Sequence, residues 1–105
     1  MAAVALDGRP LARSRRVLVT TCGRCENTGM QFTPDRRSVG TRWGDAPVQI
    51  EAVTGRLTLP GAGWRARALD PAGQPARAAP VERGPDACTL RLAPAAGTMW
   101  YLLTR

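Results

Sequence analysis

The sequence predicts an all-β protein, an antiparallel β-sandwich of about seven to nine strands formed by a single domain over residues 1–105. Three observations predict it. Apolar and polar residues alternate with a period of two in several windows. The 11 glycines and 9 prolines recur as turn signals at intervals of roughly 8–12 residues. No window of roughly 11–18 residues has convincing helical periodicity.

The first strands are predicted in the N-terminal half of the chain. Residues 16–22 are β-branched and apolar, which is typical of a central strand. Residues 48–52 alternate between apolar and polar side chains. A Thr54-Gly55 turn then leads into residues 56–59, so these two windows are predicted to form a hairpin. Residues 34–42 are predicted to be an exposed loop or edge strand.

The later strands follow the same period. Residues 64–69 alternate strictly, with tryptophan and alanine on one face and arginine on the other. The Asp-Pro-Ala-Gly sequence at 70–73 is a strong turn signal. Residues 88–92 alternate again, and residues 98–104 predict a dense apolar last strand. Strands of this number and spacing are typical of immunoglobulin-like or jelly-roll-like sandwiches.

The composition excludes several kinds of active site. All 15 basic residues are arginine, histidine and lysine are both absent, and the formal net charge is +7. Without histidine there is no Ser-His-Asp or Cys-His nucleophile system, and without lysine there is no Schiff base and no P-loop lysine. We therefore expect no enzyme activity from this chain alone, no catalytic residues and no cofactor.

The three cysteines are too few for a complete disulfide framework. Cys22 and Cys25 form a C-x-x-C pair, but a zinc site would need two more ligands, and only Cys88 remains as a soft donor. A redox C-x-x-C would open a helix, whereas residues 26–29 are predicted to form a turn whose side chains bond the backbone. No metal site is therefore predicted, while a Cys22–Cys25 or a Cys25–Cys88 disulfide both remain open.

Several motifs occur together over the first two thirds of the chain. They are L-D-G-R-P-L at 6–11, S-R-R-V-L-V-T-T at 14–21, G-R-C-E-N-T-G-M at 23–30, W-G-D-A-P-V-Q-I-E-A-V at 43–53 and G-R-L-T-L-P at 55–60. In this order they resemble the small β-sandwich domain found C-terminal to the catalytic barrel in certain bacterial glycoside hydrolases. A-L-D-P-A-G at 68–73 and the final W-Y-L-L fit the same family. In that family the active carboxylates lie on the barrel, so the resemblance implies a non-catalytic accessory domain of a secreted bacterial enzyme.

Such a domain is expected to behave like a carbohydrate-binding module, binding or positioning a polysaccharide or bracing the catalytic domain. Sugar rings stack on aromatic side chains while neighbouring polar groups bond the hydroxyls. The candidate carbohydrate-binding residues are Trp43, Trp64, Trp100, Tyr101, Arg42 and Asp45. Trp43 lies beside Gly44 in a loop and is the best candidate for an exposed aromatic. Trp64 begins a strand and is placed at its rim, and one of the adjacent Trp100 and Tyr101 must face outward.

Two carboxylates suggest a glycosidase pair, since such enzymes need only two. They are Glu26 and Glu51. Neither lies in a recognisable cleft, and Glu51 alternates with apolar neighbours, so we expect it to point outward or to cap a nearby group.

Other functions remain open as alternatives: a purely structural or interaction domain with no sugar site, or a small basic nucleic-acid-binding β-barrel. The arginines at 13–16 and 36–37 are clustered, but the others alternate along strands as solvated positions do, so nucleic acid is not the expected partner. The expected partners are a polysaccharide or oligosaccharide and an adjacent glycoside hydrolase catalytic domain. No stretch approaches the roughly 20 apolar residues of a membrane span, so no membrane partner is expected. The apolar start at 1–6 is too short for a signal peptide, and an extracellular or periplasmic location follows only if the chain belongs to a secreted hydrolase.

Overall fold

The computed structural model describes residues 1–105 and contains ten β-strands and two short 3-10 helices. The strands are β1 (Ala2–Ala5), β2 (Arg16–Thr20), β3 (Cys25–Thr28), β4 (Asp45–Ile50), β5 (Gly55–Pro60), β6 (Arg65–Leu69), β7 (Pro75–Ala79), β8 (Val81–Arg83), β9 (Ala87–Leu92) and β10 (Trp100–Thr104). The 3-10 helices span Leu11–Arg13 and Pro94–Ala96. All strand pairs are antiparallel, which confirms the all-β prediction. None of the helices is long and apolar enough to cross a membrane.

The chain divides into two compact units. The first unit contains residues 1–21 and 52–105, and it holds a five-stranded sheet in the order β1-β2-β10-β6-β7 and a three-stranded sheet in the order β5-β9-β8. Both sheets bury their apolar faces in one shared core, so this unit has the predicted antiparallel β-sandwich arrangement. The core consists of Val17, Val19, Leu59, Trp64, Ala66, Ala68, Ala79, Cys88, Leu90, Leu92, Tyr101 and Leu103.

Alternation along the strands determines which side chains enter this core. In β6 the two alanines, Ala66 and Ala68, are buried while Arg65 and Arg67 are exposed, as the sequence pattern predicts. The Asp70 carboxylate then closes the turn into β7, because its Oδ1 accepts hydrogen bonds from the backbone nitrogens two and four residues further on, at 2.9 and 2.8 Å. This turn prediction is confirmed.

The predicted hairpin between residues 48–52 and 56–59 is wrong. β4 pairs with β3, whereas β5 pairs with β9. All six residues of β4 are exposed, while Leu57 and Leu59 of β5 pack into the sandwich core. Burial of apolar surface in the core therefore outweighs the local turn signal at Thr54-Gly55.

The second unit consists of residues 22–51, and its strands β3 and β4 form a two-stranded ribbon. β3 begins at Cys25 and includes residues 26–28, so the turn predicted at 26–29 starts one residue later, where the Met30 nitrogen donates to the Asn27 carbonyl oxygen at 3.1 Å. The ribbon register shifts between Asn27 and Thr28. Residues 34–42 lie in the connection between the two strands and form turns, as the loop prediction expected.

The core position of Leu90 predicts a large effect of truncation. Leu90 is 0% exposed in the middle of β9, so Leu90→Ala leaves a cavity and should lower the free energy of unfolding by about 2–5 kcal/mol. Chemical denaturation measures this difference. The control is Leu11→Ala, which removes an exposed leucine of the same unit and should change stability by less than about 1 kcal/mol. Equal losses for the two variants would contradict the shared core.

The connection from β1 to β2 is organised by one carboxylate. Asp7 accepts hydrogen bonds from the Arg15 backbone nitrogen at 2.7 Å and from the Ser14 hydroxyl at 2.8 Å, with a longer one from Arg9. The bond from the Arg15 N–H lowers the pKa of Asp7 and, with the bond from Ser14, outweighs the opposing effect of desolvation. The ionised carboxylate therefore holds this segment in place.

Because the folded-state pKa of Asp7 is lower than its unfolded value, the carboxylate contributes stability above the unfolded pKa, and this contribution is lost as the pH falls through the folded pKa. Carbon-detected NMR titration of the Asp7 carboxyl should give a midpoint below the ordinary aspartate value of about 4. The stability difference between the wild type and Asp7→Asn should be constant near neutral pH and shrink in acid. A midpoint at or above the ordinary value would contradict the hydrogen bonding described.

Candidate functional site

Three of the six candidate carbohydrate-binding residues lie in one segment of the second unit. We call residues 42–45 the Trp43 loop; it contains Arg42, Trp43 and Asp45 and leads directly into β4. The Trp43 side chain is 61% exposed, which agrees with its prediction as an exposed aromatic. The Arg42 guanidinium donates a hydrogen bond to Gln31 Oε1 at 3.0 Å. The loop therefore presents one indole ring beside polar groups of both charges.

β3 holds this loop through side chains of the E-N-T-G-M motif. Asn27 Nδ2 donates to the Trp43 carbonyl oxygen at 3.0 Å, and Thr28 Oγ1 donates to the Pro47 carbonyl oxygen at 2.9 Å. Gln49 Nε2 in turn donates to Thr28 Oγ1 at 3.3 Å. The two most distinctive motifs of the sequence therefore contact each other, and each satisfies polar groups of the other.

Gly44 allows this close approach. Its φ of +66° lies in the left-handed region, and a Cβ at this position would meet the Thr28 carbonyl oxygen and lie 2.6 Å from the Met30 nitrogen. Only glycine therefore fits beside the end of β3. The backbone that carries the exposed Trp43 is fixed from both sides, by Asn27 at its carbonyl and by the packing of the following glycine.

The other aromatic candidates do not join this loop. Trp64 is 1% exposed in the sandwich core, and its Nε1 donates to the Pro60 carbonyl at 3.0 Å. Its placement at a strand rim is therefore corrected: the apolar core takes up the whole indole, and its one polar atom is satisfied internally. Tyr101 is also buried in the core, where desolvation raises the pKa of its hydroxyl. Trp100 is half-buried in the first unit and faces away from the core, so one of this adjacent pair does face outward.

Glu26 lies on β3 and Glu51 directly follows β4, and both line one shallow groove of about 190 Å³. Each carboxylate forms an ion pair with an arginine. Glu51 Oε2 accepts from the Arg24 backbone nitrogen at 3.1 Å and from its Nε at 3.2 Å, and these contacts lower the pKa of Glu51. Glu26 Oε1 accepts from Arg36 at 2.9 Å. A glycosidase general acid needs a raised pKa, so the environment of Glu51 is opposite to that requirement.

Glu51 therefore caps a neighbouring group, as its alternation with apolar residues suggested. The sequence did not show that Glu26 and Glu51 share one groove, because that depends on the pairing of β3 with β4. It also missed Asn27 and Gln31 as supports of the Trp43 loop. The only sequence signal for these two residues is the presence of the E-N-T-G-M and W-G-D-A-P-V motifs in the same chain.

The three cysteines are all free thiols. Cys22 and Cys25 are exposed in the second unit, while Cys88 is buried in the sandwich core. Neither of the two disulfides left open by the sequence is therefore formed. No group of three or more potential metal ligands is present.

Comparison with protein-family models, curated proteins and solved structures finds no match to this chain. The similarity to glycoside hydrolase accessory domains therefore remains a prediction from the motifs. The hydrogen bonds between the E-N-T-G-M and W-G-D-A-P-V motifs are observed in this structure, whether or not the family similarity holds.

The packing of Gly44 predicts a position-specific effect of substitution. Gly44→Ala should lower the opening free energy of β3 and β4 by about 1–2 kcal/mol for the left-handed backbone and by a further ~1–3 kcal/mol for the clash with β3. Native-state amide hydrogen exchange of the ribbon measures this directly.

The matched control is Gly40→Ala in the same connection. Gly40 also has a positive φ, of +52°, but a Cβ there meets no atom within 4 Å, so only the backbone cost applies. If the ribbon amides exchanged with equal protection in the two variants, the close packing of Gly44 against Thr28 would be refuted.

Proposed function

We propose that this chain is a non-catalytic accessory domain of a bacterial glycoside hydrolase that contacts polysaccharide through Trp43. The observation that carries the proposal is a largely exposed indole on a fixed backbone. The exposed indole offers a large flat apolar face, and sugar rings offer C–H faces that stack on such a ring. A fixed loop also loses little conformational entropy when a ligand binds.

The polar groups around Trp43 suit a neutral sugar. Arg42 and Asp45 carry opposite charges, so the Trp43 loop has no net charge of its own. Arg42 and Gln31 are already joined by a hydrogen bond, which orients both side chains. Guanidinium, carboxylate and amide groups together supply donors and acceptors for sugar hydroxyls. This combination of one aromatic surface and a few polar groups is typical of small-ligand recognition.

Catalysis is assigned to an adjacent catalytic domain of the same enzyme. This chain has neither histidine nor lysine, and Glu51 is held by Arg24 in a form unsuited to a general acid. An extracellular or periplasmic location follows from the same proposal, because such enzymes act on external polysaccharides.

A second candidate function is bracing of the catalytic domain through the outer face of the five-stranded sheet. Val4, Leu18 and Leu102 are register neighbours across β1, β2 and β10, and Trp100 lies on the same face. Val4 is 51% exposed. A contiguous exposed apolar surface of this kind is a mark of protein–protein interaction sites. It favours an interaction role that needs no sugar site.

The test is affinity electrophoresis of the full chain and Trp43→Ala in gels containing a panel of neutral and acidic polysaccharides. We expect the wild type to be retarded by at least one neutral polysaccharide and Trp43→Ala to bind it about tenfold more weakly, since about 1.4 kcal/mol of stacking is lost. The thermal unfolding midpoint should not change, because an exposed side chain contributes little to stability.

Val48→Ala is the control, since Val48 is an exposed apolar residue of the same unit outside the Trp43 loop. It should bind the glycan like the wild type. Absence of retardation by every polysaccharide would refute the sugar site and favour the bracing role. A large fall in stability of Trp43→Ala would instead make Trp43 a structural residue.

A further inference from the structure

A second concave surface lies on the first unit. It is a groove of about 560 Å³, which we call the arginine groove. Its lining consists of Arg9, Ala12, Arg13, Arg15, Ala62, Gly63 and Arg105. Four of these seven residues are arginine and none is acidic. The groove therefore concentrates positive charge at one place on the first unit.

The groove arginines are not neutralised within the protein. The four ion pairs of the structure use Arg24, Arg36, Arg56 and Arg91, none of which lines the groove. The side chains of Arg9, Arg13 and Arg15 form no hydrogen bond within the chain. Asp7 is near in sequence, but its carboxylate is occupied by backbone N–H groups and the Ser14 hydroxyl. Three guanidinium groups are therefore free to bind an external anion.

Arg105 has a different role, because it forms part of the fixed frame. Its Nε donates to the Ser14 carbonyl at 3.0 Å, and its two terminal nitrogens donate to the Pro60 and Ala12 carbonyls, each at 3.2 Å. Its guanidinium also stacks on the Trp64 ring, 4.6 Å from the centroid. One side chain thus joins the segment before β2 to the end of β5.

Gly61 makes room for this arginine. Its φ is +87°, and a Cβ at this position would meet the terminal nitrogen of Arg105. Asp7 fixes the other wall of the groove by accepting from the backbone of Arg9 and Arg15. The two walls are therefore set by internal hydrogen bonds before any ligand binds, which reduces the entropic cost of binding.

We propose that the arginine groove binds the carboxylate or sulfate groups of an acidic polysaccharide. A guanidinium offers a planar pair of N–H donors that matches two oxygens of such an anion, and it stays charged at all relevant pH values. The groove has the size of small-ligand sites, which hold about 300–1,000 Å³. Several arginines along it can contact successive charged sugar units.

The lining disfavours other classes of ligand. No aromatic side chain lines the groove, and the Trp64 ring beneath it is covered by Arg105, so neither a neutral sugar nor an unstacked base finds a surface to stack on. The proposal rests on the proposed function in one respect, that the anion is carried by a sugar polymer. The Trp43 loop would then contact neutral parts of a polysaccharide and the arginine groove its charged groups.

The experiment compares two charge-matched triple variants of the full chain. The groove variant carries Arg9→Gln, Arg13→Gln and Arg15→Gln. The control carries Arg16→Gln, Arg65→Gln and Arg67→Gln, which removes three exposed arginines from strands β2 and β6 of the five-stranded sheet. Neither set makes a side-chain hydrogen bond in the structure, so both variants should unfold at the wild-type temperature. The probes are polygalacturonate, dextran sulfate, uncharged dextran and a short DNA duplex, measured by calorimetry at about 150 mM salt.

We expect the wild type to bind polygalacturonate or dextran sulfate, the groove variant to bind it at least about tenfold more weakly, and the control to lose less than about threefold. Preference for one acidic polymer identifies the anion as carboxylate or sulfate. Equal losses in the two variants would show that only net charge matters and would overturn the proposal. It would be overturned equally by a wild type that binds neither acidic polymer, or that binds duplex DNA through these arginines and no glycan.

The outcome for the groove is separable from that for the Trp43 loop. If Trp43→Ala leaves all glycan binding unchanged while the groove variant loses the acidic polymer, the Trp43 proposal fails and the groove stands. If Trp43→Ala weakens binding of a neutral polysaccharide while the two triple variants behave alike, the groove proposal fails and the Trp43 loop stands.

Discussion

The shared core of the first unit is the constraint on which the rest of that unit depends. Both sheets bury one face in it, so the inward side chains along each strand are apolar and alternate with outward ones. This alternation places Trp64 and Tyr101 inside and directs Arg65 and Arg67 outward. Two of the four aromatic candidates for sugar contact are therefore buried in the core. Surface chemistry in this unit is therefore left to the outer sheet face and to the connections between strands.

In each unit, a small network of hydrogen bonds fixes the backbone of a connection between strands. In the second unit, Asn27 and Gly44 fix the backbone that exposes Trp43. In the first, Arg105 joins three carbonyl groups and covers the ring of Trp64. Each network uses a glycine with positive φ to let two segments approach closely. The Trp43 loop presents an aromatic ring without net charge, and the arginine groove presents free guanidinium groups. On our proposals the two surfaces would contact different parts of a polysaccharide.

The strands of the sandwich were largely predictable, because the period-two pattern reports directly on a half-buried sheet. β6 and its following turn at Asp70 illustrate this, since Arg65 to Ala68 lie on the faces that the pattern predicted. Pairing was not predictable: the Thr54-Gly55 turn signal suggested a hairpin, but burial of Leu59 in the core decided the partner of β5. Among the site residues, exposure of Trp43 followed from its glycine-rich loop. The burial of Trp64 did not, because a tryptophan at the start of a strand fits a rim and a core equally well.

We propose that Trp43 alone among the three tryptophans contacts sugar, and the three indole N–H resonances distinguish this from the alternatives residue by residue. An oligosaccharide of the neutral polysaccharide that retards the chain is titrated into ¹⁵N-labelled protein. The three indole signals are assigned by substituting each tryptophan in turn. We expect the Trp43 signal to shift and saturate, while the Trp64 signal stays unchanged because its N–H is bonded to the Pro60 carbonyl oxygen in the core. A saturating shift at Trp64 or Trp100 with Trp43 unmoved, or no shift at any tryptophan while binding occurs, would contradict it.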